Sequence, residues 1–344
     1  MDKFYHPIIL FVLFIYLSAC QKQNEQLIKK HYFIFGTIVE VLVWHDDVNI
    51  ANEAFDEIDI VLNGMHKQWH AWKSGDLHDI NTALRAGKSI KLNNEQISFI
   101  NETKRLSKQS LGYFNPAIGE LINLWGFHTD DYPITTPPPT AAEINNFLTH
   151  MPDMEDISIE NKQISSKNSH IWLDYGGVAK GYAIDKAINI LKKHGIKNAI
   201  VNAGGDLRSI GSKGDKNWKV AIRKPNSKDI VAVISVQGDE SIFTSGNYER
   251  YKQFDGKRYA HIIDPKTGTG VSQIVSATVI AENGTKADAA ATAMIVAGEK
   301  NWHKLAQSMQ LNQVLLIDAD GKCLASSTLI SRLEKTTINC TVLE

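Results

Sequence analysis

The sequence contains few cysteines and no excess of charge of either sign. Three cysteines occur in 344 residues, and 37 basic residues balance 38 acidic ones to a formal net charge of −1. Such a balance provides no basic field to attract nucleic acid and no acidic block of the kind found in disordered tails. We therefore expect no nucleic-acid partner.

Common nucleotide-binding and metal-binding motifs are also missing. The chain has neither the G-x-G-x-x-G fingerprint nor a P-loop. Cys323 and Cys340 have no histidine or third thiol nearby in sequence, which disfavours a metal site built on them. In an oxidising compartment these two could form a disulfide, although their spacing alone does not show that they meet.

A long apolar run is present only at the N-terminus. Residues 8–17 are apolar but too few to span a bilayer stably, and the residues that follow, Leu17-Ser18-Ala19-Cys20, resemble the lipobox of bacterial lipoproteins. This predicts a signal peptide over 1–19, lipidation of Cys20, a polar tether over 20–30 and a single domain over 31–344. An ordinary signal with an incidental cysteine is the alternative. We expect a lipid-anchored protein on the periplasmic side of the inner membrane, although Gln21 is compatible with either membrane.

The rest of the chain alternates short strand patterns with helix patterns. Residues 31–45 predict a strand pair or one long strand, and residues 52–69, 95–111 and 179–195 have helical spacing. The proline run 137–139 predicts a surface loop, followed by a helix capped by Thr140 and Glu143. This mixture is typical of an α+β protein.

Two glycine turns carry polar residues suited to a ligand. Asp174 is expected to end a strand, Gly176 and Gly177 allow close backbone approach, and Lys180 begins the next helix with a charge suited to phosphate. A plain strand-to-helix turn with a solvated lysine is the alternative. Gly204 and Gly205, followed by Asp206 and Arg208, repeat the pattern, with a packing turn as the equally open interpretation.

Asp288 and Thr292 form a candidate metal-binding pair. They are four residues apart in an alanine-rich stretch, so a helix places both on one face, where they offer hard oxygen ligands for Mg²⁺. Two oxygens do not complete an octahedron, so water, phosphate or a backbone carbonyl such as that of Gly177 has to supply the rest. Equally open is an aspartate that stabilises the helix N-terminus beside a buried threonine.

Six segments of the chain together resemble the ApbE family of flavin transferases. They are YFNPAIGELINLWGF, WLDYGGVAKGYAID, VNAGGDLRSIG, FTSGNYERY, RYAHIIDPKTG and KADAAATAMIVAG, in the family order from Tyr113 to Gly298. The resemblance implies mixed and antiparallel sheets flanked by helices, with an FAD and metal cleft between them. It also implies an enzyme that takes FAD and attaches FMN to a Ser or Thr hydroxyl of a target protein.

The resemblance also assigns roles to individual residues. It implies catalysis by His261 with Asp264 orienting the turn or the imidazole, and a metal site, usually for Mg²⁺, that uses the Gly177 carbonyl, Asp288 and Thr292. Contacts with FAD are implied for the following residues: Trp72, Tyr113, Phe114, Asn115, Asp174, Lys180 and, through its backbone, Ile263. Without the other motifs, His261 would be expected to be a core residue of a strand. For Trp72 the contact with FAD is the favoured interpretation, and a core position is the alternative.

Departures from the family pattern affect the nucleotide contacts. Asn115 and Asn247 stand where the family commonly has aspartate, and Ala117 and Glu120 lie where it has a threonine and a proline. A metal-dependent FAD hydrolase giving FMN and AMP and a non-catalytic FAD-binding lipoprotein remain alternatives. Family members commonly modify membrane redox subunits, such as those of sodium-pumping quinone reductases, or exported reductases. The sequence does not identify the acceptor.

Overall fold

The computed structural model describes residues 25–236 and 238–342. The predicted signal peptide, the lipidation site Cys20 and the first part of the predicted tether lie outside the described residues. No helix within the described ranges is long and apolar enough to cross a bilayer.

The described chain contains nineteen strands, many of them short. Their bounds are β1 Gln26–Ile34, β2 Thr37–His45, β3 Ile90–Lys91, β4 Ile157–Glu160, β5 Gln163–Ser166, β6 Ala199–Ala203, β7 Asp206–Ile210, β8 Trp218–Arg223, β9 Ile230–Val236, β10 Glu240–Gly246, β11 Tyr251–Phe254, β12 Lys257–Ala260, β13 Ile263–Asp264, β14 Thr269–Gly270, β15 Ile274–Ala281, β16 Val314–Asp318, β17 Cys323–Ala325, β18 Leu333–Glu334 and β19 Cys340–Val342.

Eight α-helices and one 3₁₀ turn, Met154–Asp156, accompany these strands within the described ranges. The helices are α1 Val48–Gln68, α2 Asp76–Arg85, α3 Asn94–Gln109, α4 Gly119–Leu124, α5 Ala141–Thr149, α6 Ala179–Lys193, α7 Gly284–Ser308 and α8 Ser327–Ile330. Thr140 and Glu143 form the predicted capping box of α5. Within α7, Gly298 has φ of 70° and ψ of 179°, so the small-residue helix breaks at this glycine and a second helical stretch continues beyond it.

A nine-stranded sheet organises the fold, in the order β1-β2-β6-β7-β10-β15-β16-β17-β19. All of its pairs are antiparallel except β17 with β19, which a disulfide between Cys323 and Cys340 also joins. Helices α1, α6 and α7 pack on one face of this sheet through the largest apolar cluster, and β8 and β9 pack on the other. The predicted α+β class with mixed sheets is therefore confirmed.

The hairpin β1–β2 corrects the predicted boundary of the tether. Residues 26–30 were assigned to a polar tether, but they pair with β2 from Gln26, which lies opposite His45. Most of these residues are exposed, because β1 is an edge strand whose outer face meets solvent. A polar sequence is therefore compatible with a strand here, and composition alone misplaced the boundary.

The segment before the first glycine turn is not the predicted strand. Between Ile171 and Asp174 only Trp172 makes a β-bridge, to Ile118. The buried amide of Asn81 satisfies the next backbone groups instead, since its Nδ2 donates to the Leu173 carbonyl at 2.9 Å and its Oδ1 accepts from the Leu173 amide at 2.7 Å. Asp174 therefore ends an extended segment that backbone hydrogen bonds to residues 116–119 hold on one side and the Asn81 side chain holds on the other.

Helices α6 and α7 approach each other backbone to backbone at two glycines. A Cβ on Gly181 would lie 2.1 Å from the Gly284 carbonyl oxygen, and a Cβ on Gly284 would lie 2.7 Å from the Gly181 carbonyl oxygen. Neither oxygen belongs to a flexible side chain that could move away. This contact therefore requires glycine at both positions.

We predict that Gly181→Ala destabilises the protein, whereas Gly64→Ala stabilises it. The added methyl at position 181 has to separate two packed helices, which costs about 1–3 kcal/mol. Gly64 lies inside α1 with no atom within 4 Å of a built Cβ, so alanine there should add about 0.5–1 kcal/mol through helix propensity. Denaturant unfolding measures both changes, and equal effects at the two positions would contradict the close contact.

Candidate active site

The first turn of α6 brings a lysine between two buried aspartates. Lys180 Nζ forms an ion pair with Asp206 Oδ2, and the other oxygen of Asp206 accepts from the Thr244 amide at 2.9 Å. Burial alone would lower the pKa of Lys180, but the charges of Asp206 and Asp288 outweigh it and raise the pKa. Lys180 is therefore a fixed positive charge at this site.

Asp288 and Thr292 lie on one face of α7 as predicted, against the first glycine turn. Asp288 Oδ2 accepts the Gly181 amide at 2.9 Å. Thr292 Oγ1 lies 3.2 Å from Ser245 Oγ and 3.2 Å from the position of a Cβ built on Gly177. Burial and the nearby charge of Asp206 raise the pKa of Asp288 above its ordinary value. The charge of Lys180 opposes this rise, so nearby positive charge compensates the carboxylate only in part.

The predicted aromatic contact, Trp72, is stacked on a histidine that sequence reasoning missed. The ring centroids of Trp72 and His128 are 4.7 Å apart at an interplanar angle of 15°. His128 Nε2 lies 2.8 Å from Asp174 Oδ2, and the other Asp174 oxygen accepts the Gly176 amide at 2.7 Å. Although burial opposes it, the His128 contact lowers the pKa of Asp174. Trp72 and Asp174 therefore belong to one wall of the site.

His261 follows β12 directly and its ring is fixed by a backbone carbonyl. Its Nδ1 lies 2.9 Å from the Arg250 carbonyl oxygen, which also accepts the His261 backbone amide at 3.2 Å. Because a carbonyl only accepts, Nδ1 carries the proton and Nε2 keeps a free lone pair. Burial together with the charge of Arg250 lowers the pKa of His261 to about 4. The imidazole is therefore neutral near pH 7, and its Nε2 lone pair carries no proton.

Asp264 orients the turn after β13 and makes no hydrogen bond to the imidazole. Its Oδ1 accepts the Lys266 amide at 2.9 Å and its Oδ2 accepts from Thr267 Oγ1 at 3.3 Å. This turn also places the Lys266 ammonium 4.0 Å from the ring centroid of the predicted contact residue Tyr113. Of the two roles considered for Asp264, the structure provides the one in the turn.

Three further predicted contact residues are buried and make contacts within the protein itself. Phe114 is buried beside Gly177, and Ile263 is buried in the apolar cluster around Trp125. Asn115 donates to the Pro152 carbonyl at 2.9 Å and accepts from the Ala117 amide at 3.0 Å. Their contacts with a nucleotide stay predictions.

Electrostatic coupling links these groups into one site. The charge of Arg250 acts on both His261 and Asp174, and the charge of Lys180 acts on both His261 and Asp288. The charge of Lys180 therefore reaches both the predicted base and the predicted metal-binding carboxylate.

Comparisons with known proteins agree with this arrangement. A model of the ApbE family matches residues 35–316. The chain belongs to the ApbE family. A relative named FAD:protein FMN transferase from Rhodobacter capsulatus is 37% identical over 310 residues, covering 89% of this chain but only 58% of the relative. Another relative of that name, from Vibrio cholerae serotype O1, is 28% identical over 308 residues and covers 88% of this chain and 91% of the relative.

Solved ApbE structures have the same fold. An ApbE protein from Thermotoga maritima superimposes with a TM-score of 0.82 at 29% identity, covering 90% of this chain and 100% of that one. The flavin transferase ApbE from Vibrio cholerae gives a TM-score of 0.78 at 29% identity with the same coverage. The fold expected from the ApbE resemblance is therefore confirmed.

The donor set of this ApbE site constrains any metal that binds there. Within residues 25–236 and 238–342, no group of three or more His, Cys, Asp or Glu side chains is placed to hold a metal ion. A cation beside Asp288 and Thr292 thus has to complete its coordination with backbone, water or ligand oxygens.

We predict that the ring of His261 titrates near pH 4 and is the Nδ1–H tautomer above that pH. Protonation is disfavoured because the ring is partly buried and lies near the charges of Arg250 and Lys180. Ring ¹⁵N chemical shifts of selectively labelled protein, followed from pH 7.5 downward, measure both properties. A midpoint close to the ordinary value of about 6.5, or an Nε2–H tautomer, would contradict the geometry.

Proposed function

We propose that this protein is a Mg²⁺-dependent FAD:protein FMN transferase. The observation that carries the proposal is the neutral His261 imidazole, whose Nε2 is free. The positive charge of Lys180 acts both on this ring and on Asp288. A proton acceptor, a fixed cation and a buried carboxylate are what displacement at a pyrophosphate requires. Relatives named FAD:protein FMN transferase support the same activity.

The substrates are FAD and a hydroxyl of an acceptor protein. The acceptor hydroxyl loses its proton to His261 Nε2, its oxygen forms a bond to the FMN phosphorus, and the pyrophosphate bond breaks to release AMP. A Ser or Thr hydroxyl is a poor nucleophile near neutral pH, so a positioned base contributes strongly. Lys180 supplies positive charge where the pyrophosphate charge accumulates, and Asp206 fixes its position.

The residues present fit a magnesium ion at the face of α7. Asp288 and Thr292, with the Gly177 carbonyl, would hold it, since one Asp288 oxygen accepts from Gly181 and the other is free to coordinate. When bound, Mg²⁺ neutralises phosphate charge and polarises the phosphorus toward attack. The Gly181 amide restricts rotation of the carboxylate.

The flavin end of the substrate is assigned to the wall made by Trp72 and Asp174. Trp72 already stacks on His128, and an aromatic face of this kind suits a ring of FAD. Tyr113 and the backbone of Ile263 are assigned to the nucleotide. If water replaces the hydroxyl, the same residues give a FAD hydrolase, and without turnover they give a FAD-binding protein.

We further propose that the protein is a lipoprotein anchored through Cys20 to the periplasmic side of the inner membrane. The lipobox motif supports the anchor, and the Cys323–Cys340 disulfide is typical of an oxidising compartment. An acceptor on this side would be a subunit of a membrane redox complex or an exported reductase. The flavin-accepting subunit of a sodium-pumping quinone reductase, prepared without flavin, is therefore a suitable acceptor probe.

We predict that His261→Ala lowers the rate of flavin transfer to this probe by about 10²–10⁴-fold, because the general base is lost. Flavin fluorescence of the acceptor band in a denaturing gel measures transfer, and chromatography measures AMP and free FMN. His303→Ala, in the later part of α7, is the matched control and should transfer at the wild-type rate. Transfer by His261→Ala at the wild-type rate would remove the base assignment, and free FMN without labelled acceptor would indicate the hydrolase.

We predict that Asp288→Asn and Thr292→Val each weaken Mg²⁺ binding and slow transfer. Both replacements keep the side-chain shape, but they remove a negative charge and a coordinating oxygen respectively. Calorimetric titration of FAD-loaded protein with MgCl₂ measures the affinity without turnover, and Asp229→Asn in an exposed loop is the control. Unchanged affinity in both variants would place the metal elsewhere.

A further inference from the structure

Strand β1 forms an open edge of the nine-stranded sheet close to the candidate active site. Within the described ranges it pairs only with β2, from Gln26 to Ile34. Every second residue of such an edge strand directs its amide and carbonyl away from the sheet, where they are free to pair with another extended chain. This edge is nine residues long.

A groove separates this edge from helix α1. It encloses about 210 Å³ and is lined on the strand side by Lys30 and Phe33 and on the helix side by Asp56, Asp59 and Asn63. We call these five residues the edge groove. The volume corresponds to roughly seven water molecules at ~30 Å³ each, which is room for a side chain of a docked segment.

The helix wall of the edge groove is acidic. Asp56 and Asp59 are exposed. The pKa of Tyr32 is raised by the burial of Tyr32 itself and by the negative charges of these two aspartates. The Tyr32 hydroxyl donates to the Phe55 carbonyl at 2.8 Å. Neither aspartate has a salt-bridge partner within the described residues. A segment that enters the edge groove would therefore be favoured by Lys or Arg on the side facing α1.

The outer face beside the edge groove carries an uncovered apolar pair. Phe33 and Ile38 lie opposite each other in the β1–β2 register and are 79% and 59% exposed. Farther along the same face, Leu42 and Trp44 pack against the cluster formed with β8 and β9. The apolar pair is therefore left open only at the turn end of the hairpin.

That turn end borders the candidate active site. Phe35 and Lys180 line one small cavity, and Thr37 Oγ1 lies 2.7 Å from the position of a Cβ built on Gly204 in the turn before Asp206. Phe33 is two residues from Phe35, so their Cα atoms are at most about 7 Å apart. The turn end of the β1–β2 hairpin thus lies beside a small cavity that Lys180 also lines.

We propose that the edge groove docks an extended segment of the acceptor protein, which adds as a strand to β1. The inference rests on the proposed transferase function, which requires a protein chain at the mouth of the site. Main-chain hydrogen bonds to β1 supply general affinity, and alternate side chains supply specificity. The segment would present a basic residue toward Asp56 and Asp59 and an apolar residue toward Phe33 and Ile38.

Steady-state kinetics with the flavin-free quinone reductase subunit test this proposal. We expect Phe33→Asp, and separately the double variant Asp56→Lys with Asp59→Lys, to raise KM for the acceptor by about tenfold, the size of a 1.4 kcal/mol contact. The KM for FAD and kcat at saturating acceptor should not change. Ile230→Asp, at an aliphatic position 46% exposed at the start of β9, is the matched control and should behave as wild type.

Amide hydrogen exchange distinguishes strand addition from loose contact. Exchange of the β1 amides should slow by at least about tenfold when the subunit is bound in the absence of FAD, and Phe33→Asp should remove that protection. An unchanged acceptor KM in both groove variants would overturn the proposal. Protection of β1 that depends only on the concentration of this protein would also overturn it, because a second copy would then occupy the edge. Absence of transfer by the wild-type protein would reject the proposed function, and the exchange experiment would still test docking.

Discussion

The backbone contact between Gly181 on α6 and Gly284 on α7 is the constraint on which the site depends. It places the first turn of α6 against the first turn of α7, so that the Gly181 amide reaches Asp288 at 2.9 Å. Asp185, one turn further along α6, fixes the same contact by accepting the Gly284 and Thr285 amides at 2.7 and 2.8 Å. Arg208 on β7 forms a salt bridge with Asp185, with Nη1 of the arginine 2.6 Å from Oδ1 of the aspartate. The sheet and both helices are thus joined directly beneath Lys180.

This packing explains the electrostatics of the site. Two carboxylates, Asp206 and Asp288, are buried around Lys180, and one lysine leaves them with an excess of negative charge. Buried charge of this kind is costly unless it is paired or binds a cation. A metal-binding role for Asp288 accounts for that excess, while the neutral His261 avoids adding a second cation beside Arg250. The proposed proton acceptor, His261, is therefore neutral, whereas the proposed phosphate-binding side is charged.

Local sequence patterns predicted the elements whose energetics are local. The helical spacing of α1, α3 and α6, the capping box at Thr140, and the common face of Asp288 and Thr292 all follow from contacts within a few residues. Local patterns did not identify the site residue His128, because its contacts with Trp72 and Asp174 join positions far apart in the chain. For the same reason the predicted strand before Asp174 is reduced to a single bridge, since distant Asn81 satisfies the backbone of Leu173 on one side. The exposed strand β1 was placed partly in a tether because its solvent-facing residues are polar.

A crystal structure of the protein with FAD and Mn²⁺ in place of Mg²⁺ tests the central claim most directly. Anomalous scattering locates the ion independently of the protein atoms. The account predicts one peak coordinated by the free Asp288 oxygen and Thr292 Oγ1, with the FAD pyrophosphate between it and His261 Nε2. A peak away from α7, or a pyrophosphate bound away from Lys180 and His261, would contradict it.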